Sequence, residues 1–399
     1  MLKGLYMIKR EHHLEKIRGF YDTDLIKIIT GIRRSGKSII LGQIMDEIKN
    51  KNPNVIYLNF EDYDTKSSIP NAKALIDYVN SQHKSGLNYL FFDEIQEVDD
   101  WALACKTLRL KDNSIFITGS NSKLLGKEYI SEFSGRYVSF QIRPFVYKEI
   151  IEYTKKLKKD CTVMDYLVWG GFPKRFELST DEERNRYLTD LNESIVKNDL
   201  IVRYKIKNIE LFQQVVNFVL QSNSRIISSN SINSYLKNEH IDSSVHTIIN
   251  YLNYLEEAYV IQRVKPYSTK TKTELSYRAK VYDADVSFNS IRSGSPYDLT
   301  HNLENIVYNE LIYMGYSVYV LNNDDGGEID FYIKKGNKKY YVQVAYSVVE
   351  EKAYKREFEA FNKLDNAVQK VLITTDEIDF STSTVRHISL KDFLLLEEL

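Results

Sequence analysis

The chain has 399 residues, more than one ordinary hydrophobic core accommodates, so we expect two or three domains. Its 54 Lys and Arg residues balance 55 Asp and Glu residues, which excludes binding of polyanions through overall charge. The two cysteines, Cys105 and Cys161, are too few for a disulfide framework or a zinc site. No apolar run reaches the roughly 18 residues that span a bilayer. We therefore expect a cytoplasmic protein without a membrane partner.

A phosphate-binding pattern begins at Gly31, between an apolar strand at 25–30 and a helical segment at 39–45. The pattern is G-x-x-x-x-G-K-S, in which glycines let successive backbone N–H groups surround an anion. We expect Lys37 to reach the β- and γ-phosphates and Ser38 to bind Mg²⁺. The predicted nucleotide-binding loop consists of Gly31, Ile32, Arg33, Arg34, Ser35, Gly36, Lys37 and Ser38.

A second apolar strand, residues 88–94, ends in the adjacent carboxylates Asp93 and Glu94. In P-loop enzymes one such carboxylate holds Mg²⁺ and another polarises the water that attacks the γ-phosphate. We assign the first role to Asp93 and the second to Glu94. A helix N-cap would explain Asp93 alone but not the pair.

Further apolar strands at 54–60, 114–120 and 137–142 alternate with helical stretches. This alternation predicts a parallel sheet covered by helices on both faces. Ligands of such sheets bind at the carboxyl ends of the strands, where Lys37, Asp93 and the segment Ser120-Asn121 fall.

With these motifs the chain resembles the AAA+ ATPases. More narrowly, it resembles a bacterial and archaeal family of predicted AAA ATPases whose C-terminal portion is related to restriction-type nucleases. The matching segments are Gly31–Ser38, Phe92–Gln96, Thr118–Asn121, Ser134–Arg136, Arg143–Phe145 and Gly170–Pro173.

The resemblance implies ATPase activity with ATP and Mg²⁺. It also implies that Ser120 or Asn121 senses the γ-phosphate and that Arg136 completes a catalytic site. Whether Arg136 acts in its own subunit or in a neighbouring copy of a homo-oligomer is open, and a surface ion pair is the alternative.

The middle of the chain is predicted to be helical from 145 to 207, without a catalytic constellation. Helical segments at 209–221, 228–238 and 243–257, followed by a hairpin, then predict a winged helix, which the resemblance also implies. The hairpin is basic, carrying Arg263, Lys265, Lys270, Lys272, Arg278 and Lys280. A basic wing beside a third helix without Arg or Lys favours DNA contact through phosphates rather than bases. The alternative is a module that binds a protein or another domain.

The C-terminal region contains a predicted hairpin of strands at 327–333 and 339–345. In the restriction-type nuclease fold, an Asp on the first strand and Glu-x-Lys on the second hold Mg²⁺ and activate water. Asp330 matches, and a preceding helix offers Glu304 and Glu310, of which we favour Glu310. Gln343 and Ala345 replace the acid and the lysine. Because divalent cations prefer several carboxylate oxygens, we expect a nuclease-like fold without nuclease activity.

The sequence thus predicts an α/β protein with an AAA+-type P-loop domain at 1–144. A helical connector at 145–207, a winged helix at 208–284 and a small α/β nuclease-like domain at 285–399 follow. The leading hypothesis is a Mg²⁺-dependent ATPase acting as a switch or motor on nucleic acid or on a protein. The competing hypotheses are an ATP-binding regulatory module with negligible turnover and a Mg²⁺-dependent nuclease coupled to ATP.

Overall fold

A computed structural model describes residues 8–119, 133, 135–267, 278–294, 297–322, 328–362 and 364–399. The chain divides into two compact units. The first extends to Pro144 and includes Glu257–Tyr259, and the second contains Phe145–Glu256 and Val260–Leu399.

The first unit contains a parallel five-stranded sheet in the order β2-β3-β4-β1-β5. Its strands are β1 (Ile26–Thr30), β2 (Val55–Asn59), β3 (Asn88–Asp93), β4 (Asn113–Thr118) and β5 (Tyr137–Gln141). Its helices are α1 (Glu11–Arg18), α2 (Lys37–Lys49), α3 (Tyr63–Ser68), α4 (Ala72–Gln82) and α5 (Trp101–Arg109). The predicted α/β class is confirmed.

Strand β1, which lies between β4 and β5, is buried along its whole length and contributes to two hydrophobic clusters. Ile26 and Ile28 join the cluster that contains Leu90. Ile29 joins a cluster on the opposite face with Phe91. Because successive side chains of a strand point to opposite faces, a continuous apolar run suits a sheet covered on both sides.

The second unit begins with α6 (Tyr147–Lys156), α7 (Val163–Trp169) and α8 (Asp181–Ser194), which continues as a π-helical segment, Ile195–Val202. After α7 the chain turns at Gly170, where φ is +67° and an added Cβ would lie 1.7 Å from Asp285 Oδ1. Gly171 N donates to Asp285 Oδ2 at 2.7 Å. The Gly-Gly-Phe-Pro motif is therefore explained by close packing within this unit.

Three helices and a small antiparallel sheet follow. The elements are α9 (Ile209–Gln221), β6 (Arg225–Ile227), α10 (Ser229–Asn238), α11 (Val245–Glu257), β7 (Ile261–Val264) and β8 (Ala279–Asp283). The strand order is β6-β8-β7. The helices begin and end within two residues of the predicted positions.

The C-terminal part contains a mixed five-stranded sheet in the order β13-β12-β11-β10-β9. Its strands are β9 (Ser317–Asn322), β10 (Glu328–Lys335), β11 (Lys338–Val344), β12 (Gln369–Thr374) and β13 (Val385–Ser389). Its helices are α12 (Ser287–Ser293), α13 (Leu299–Tyr313), α14 (Glu351–Glu359) and α15 (Leu390–Leu394). The predicted hairpin is confirmed, since β10 and β11 pair antiparallel. Within the described ranges, none of the helices has the length and apolar character needed to cross a membrane.

Candidate functional site

The predicted phosphate loop lies between β1 and α2, and its glycines are required by its geometry. At Gly31 φ is +137°, and a Cβ there would lie 2.0 Å from the carbonyl oxygen of Ile142. Gly36, with φ of +95°, precedes α2 and is also in a conformation that favours glycine. The positive end of α2 therefore faces the loop, as an anion site needs.

Two polar side chains of the loop are buried. Lys37 is 5% exposed, and its Nζ donates to the carbonyl oxygen of Ile32 at 3.2 Å. Ser35 is fully buried, and its Oγ has no hydrogen-bond partner among the described residues. The loop thus places the Lys37 ammonium group and a Ser35 hydroxyl without a described hydrogen-bond partner next to backbone N–H groups that can bind phosphate.

Asp93, at the end of β3, is surrounded by hydroxyl groups. Its Oδ1 accepts hydrogen bonds from Ser38 Oγ at 3.1 Å and from Thr118 Oγ1. Tyr57 donates to Oδ2 at 3.4 Å, and burial raises the pKa of this tyrosine to about 12, so it keeps its proton. Ser38 and Asp93, the two predicted metal ligands, are therefore adjacent, and their oxygen atoms suit Mg²⁺.

Glu94 follows Asp93 in a left-handed backbone conformation, with φ of 53°. Its backbone N–H donates to Thr118 Oγ1 at 2.9 Å, and the Gln96 amide donates to its carboxylate. A non-glycine residue held in this conformation is strained, and such strain is concentrated at functional sites. Thr118 contacts both acidic residues, which the sequence did not predict.

Arg10 is a second residue of the site that the sequence did not predict. It is 2% exposed and donates from Nη1 to the carbonyl oxygen of Ser35 at 2.9 Å. Its Nη2 donates to the carbonyl oxygen of Arg143 at 3.0 Å. One buried guanidinium thus fixes the phosphate loop to the segment after β5. No motif surrounds Arg10, so no sequence signal could have identified it.

Arg136 lies away from this loop. Its carbonyl oxygen accepts from Ile26 N at 3.0 Å, so it precedes β5 at the level where β1 begins. The phosphate loop follows the other end of β1, about 13 Å away at 3.3 Å per residue. The backbone of Arg136 therefore lies at the opposite end of β1 from the phosphate loop. The predicted sensors Ser120 and Asn121 lie outside the described residues.

The basic hairpin is less free to bind DNA than its composition suggests. The Arg263 guanidinium donates to the Glu256 carboxylate, with Nε at 3.0 Å. Lys280 is buried and paired with acids, as described below, whereas Lys265 is exposed. Two of the six basic residues of the hairpin, Arg263 and Lys280, are thus paired with acids within the second unit. Lys270 and Lys272 lie outside the described residues.

The helix carboxylate near Asp330 is Glu304, and our choice of Glu310 is wrong. Lys280 Nζ lies 2.8 Å from Glu304 Oε1 and 3.0 Å from Asp330 Oδ1. Glu310 instead accepts from Tyr147 N at 3.0 Å, where burial raises the pKa of Glu310 to about 8. The two glutamates stand on different sides of α13 and serve different contacts.

Gln343 and Ala345 have structural partners of their own. Gln343 Oε1 accepts from Asp330 N at 3.2 Å, and Nε2 donates to Glu357 Oε2 at 2.9 Å. Ala345 is 4% exposed and belongs to a hydrophobic cluster with Ile329. In the part of the chain that the structure describes, no group of three or more His, Cys, Asp or Glu residues is arranged to hold a metal ion.

Comparison with known protein families divides the chain into three matches. Residues 23–151 match a family described as an AAA domain. Residues 162–294 and 300–393 match two domains of unknown function, DUF8612 and DUF4143 respectively.

Two relatives match along most of their length. An uncharacterized protein of Haemophilus influenzae is 33% identical over 385 residues, covering 92% of this chain and 93% of the relative. The uncharacterized protein MJ1544 of Methanocaldococcus jannaschii is 32% identical over 378 residues, covering 88% of this chain and 82% of the relative.

Among solved structures, the Walker-type ATPase PABY2304 of Pyrococcus abyssi matches with a TM-score of 0.52 and 15% identity. The match covers 72% of this chain and 96% of that protein. At this identity the similarity shows a shared fold.

Proposed function

Because this chain belongs to the same family as the Haemophilus influenzae and Methanocaldococcus jannaschii proteins and carries an AAA domain, we propose that it is a Mg²⁺-dependent ATPase. In this proposal ATP drives a switch or motor. The observation that carries it is the pair of oxygens from Ser38 and Asp93, 3.1 Å apart beside the phosphate loop.

The phosphate loop and the residues around it each have a role in this proposal. The backbone of Gly31–Ser38 and the Lys37 ammonium bind the phosphates, and Arg10 holds the loop in shape from behind. Ser38 and Asp93 hold Mg²⁺, which neutralises negative charge on the phosphates when bound. Glu94 orients and deprotonates the attacking water, as the carboxylate at this position does in related chemistry.

The test is release of phosphate from ATP by the purified full-length chain and two variants. We expect Lys37→Ala to lose ATP binding together with turnover. Glu94→Gln should bind ATP and release phosphate at least about 100-fold more slowly, because general-base catalysis contributes about 10²–10⁴-fold.

Matched controls are available close to both positions. Lys49→Ala changes an exposed lysine at the far end of α2, and Glu97→Gln changes an acid three residues after Glu94. Both should retain wild-type turnover. Wild-type turnover in Lys37→Ala and Glu94→Gln would refute the ATPase proposal. If the wild type binds ATP but releases no phosphate, the result would support the competing proposal of a regulatory nucleotide.

We also propose that Arg136 completes the site of a neighbouring copy in a homo-oligomer. Its distance from its own phosphate loop supports this choice over action within one subunit. An arginine supplied in this way contributes about 10³–10⁵-fold to turnover in other nucleotide hydrolases.

Mixing two inactive variants tests the sharing of sites. Arg136→Ala keeps its own phosphate loop, and Lys37→Ala keeps its arginine. An equimolar mixture should therefore regain activity that neither variant has alone. A mixture as inactive as its components, under conditions where wild type is oligomeric, would contradict a shared site.

For the second unit we propose a winged helix. The order of elements supports this fold: a helix, a strand, two helices and two further strands, with the three strands forming the β6-β8-β7 sheet. Its partner is DNA, through Lys265 and the rest of the hairpin, or a protein. ATP turnover with duplex DNA, single-stranded DNA and RNA distinguishes these partners, since stimulation through phosphate contacts fades as salt rises.

A further inference from the structure

A buried lysine of β8 joins two carboxylates from other elements of the second unit. Lys280 comes from the small sheet, Glu304 from α13 and Asp330 from β10. Their side chains are 5%, 12% and 11% exposed respectively. An ion cluster at this depth is expensive to desolvate, so its charges must be balanced locally.

Among the described contacts, each carboxylate of the cluster accepts from the ammonium group and from a neutral donor. Tyr282 OH donates to Glu304 Oε1 at 2.6 Å, and Val344 N donates to Asp330 Oδ2 at 2.9 Å. Burial, followed by the charge of Asp330, raises the pKa of Glu304, and the Lys280 ammonium group opposes this rise by favouring the charged form. Two acids at this spacing repel each other unless a cation stands between them.

We propose that the Lys280 ammonium is the built-in cation of Glu304 and Asp330, and that it excludes a divalent metal ion from this cluster. Asp330 is also the residue whose position in the sequence matches an Mg²⁺ ligand of restriction-type nucleases. The inference concerns residues of the second unit alone and is independent of the proposed ATPase activity.

The donor set around the cluster fits an ammonium group better than a divalent ion. Mg²⁺ requires six oxygens in near-octahedral geometry, whereas an ammonium group is satisfied by three acceptors. Gln343, which could add an oxygen, already uses both ends of its amide, on Asp330 N and on Glu357. Ala345 offers an apolar side chain only. The residues therefore do not fit a metal while Lys280 is present.

The experiment removes the ammonium group and tests the cluster with Mn²⁺. The full-length wild type, Lys280→Met and the double variant Lys280→Met/Asp330→Asn are titrated without nucleotide, and free Mn²⁺ is measured by electron paramagnetic resonance. We expect Lys280→Met to gain one Mn²⁺ site that the double variant lacks. Mn²⁺ should also raise the unfolding temperature of Lys280→Met more than that of wild type.

Two comparisons separate this result from nonspecific effects. Wild type and Asp330→Asn should bind equal amounts of Mn²⁺, because the cluster of the wild type is closed to metal. Lys370→Met removes another buried lysine, one that pairs with the Asn366 amide at 2.8 Å instead of with acids, and should gain no site.

An Asp330-dependent Mn²⁺ site in wild type would overturn the proposal. A folded Lys280→Met variant that binds no more Mn²⁺ than wild type would overturn it equally. If Lys280→Met does not fold, Lys280→Ser takes its place with the same two outcomes, because the smaller side chain leaves room for water beside the carboxylates.

Discussion

In the first unit Asp93 contacts the hydroxyl groups of Ser38, Thr118 and Tyr57, whereas in the second unit Asp330 contacts the ammonium group of Lys280. Both aspartates are buried and both lie on sheet strands. Hydroxyl groups can share a carboxylate with a metal ion, but a lysine already supplies the positive charge. Similar acids are therefore suited to an exchangeable cation in one unit and to a permanent one in the other.

The largest expected effect comes from replacing the two aspartates in turn. Asp93→Asn should lower ATP turnover roughly 10²–10³-fold, because the amide weakens metal binding at the phosphate site. Asp330→Asn should leave turnover of folded protein unchanged. Phosphate release from the two variants, measured at saturating ATP and Mg²⁺, checks the contrast. Equal losses would mean that the two acids serve one function.

The next effect is on stability. Lys280→Met should lower the free energy of unfolding of the second unit by about 3 kcal/mol, because two carboxylates lose their buried partner. Adding Glu304→Gln and Asp330→Asn should restore most of this loss, since neutral side chains no longer need the ammonium group. Urea unfolding measures all three proteins. A triple variant no more stable than Lys280→Met would contradict charge pairing as the cause.

The third expected effect depends on pH. It concerns Glu310, a buried acid of the second unit outside the Lys280 cluster. The pKa of Glu310 rises from 4.5 to about 8 in the folded chain, so the folded state holds a proton that the unfolded state releases. Its contribution to stability is therefore complete below pH 4.5 and is lost as the pH rises through 8, by up to about 1.4 kcal/mol per pH unit.

Glu310→Gln should remove this dependence while keeping an acceptor for Tyr147 N. The difference in urea midpoint between variant and wild type should increase steadily from pH 5.5 to 8. Glu351→Gln, at an exposed position of α14, should show a constant difference over the same range. A constant difference for Glu310→Gln as well would show that this acid is charged in the folded chain.

The smallest effect concerns the hydroxyl that joins the two acids of the first unit. Thr118→Val should reduce ATP turnover by up to about 30-fold, since it removes a donor to Asp93 and an acceptor for Glu94 N, each worth about 1 kcal/mol. Thr107→Val, which changes a surface hydroxyl of α5, is the control. Full activity in Thr118→Val would mean that backbone geometry alone places Glu94.

The phosphate site could be predicted from the sequence because its signals are local. The glycine spacing at 31–36 specifies the loop conformation, and the apolar strand before Asp93 specifies where that acid falls. Thr118 was missed because a hydroxyl at the end of a strand has no distinctive pattern. Arg10 was missed because its partners, Ser35 and Arg143, are 25 and 133 positions away.

The second unit shows why the remaining contacts could not be predicted. Glu304 and Glu310 lie on one helix that is buried on nearly all sides, so periodicity does not reveal which of them approaches Asp330. Lys280 belongs to a run of cations that composition assigns to the surface. Its burial depends on contacts 24 and 50 positions away in the sequence, between elements that only the folded chain brings together.

The hydrogen bond between Gln343 and Glu357 has an evolutionary consequence. An acid at position 343 would place a second carboxylate beside buried Glu357, where the amide of half-buried Gln343 now donates to Glu357 Oε2 at 2.9 Å. Replacement of Gln343 by an acid is therefore disfavoured as long as Glu357 is retained. The two positions are thus expected to change together during evolution.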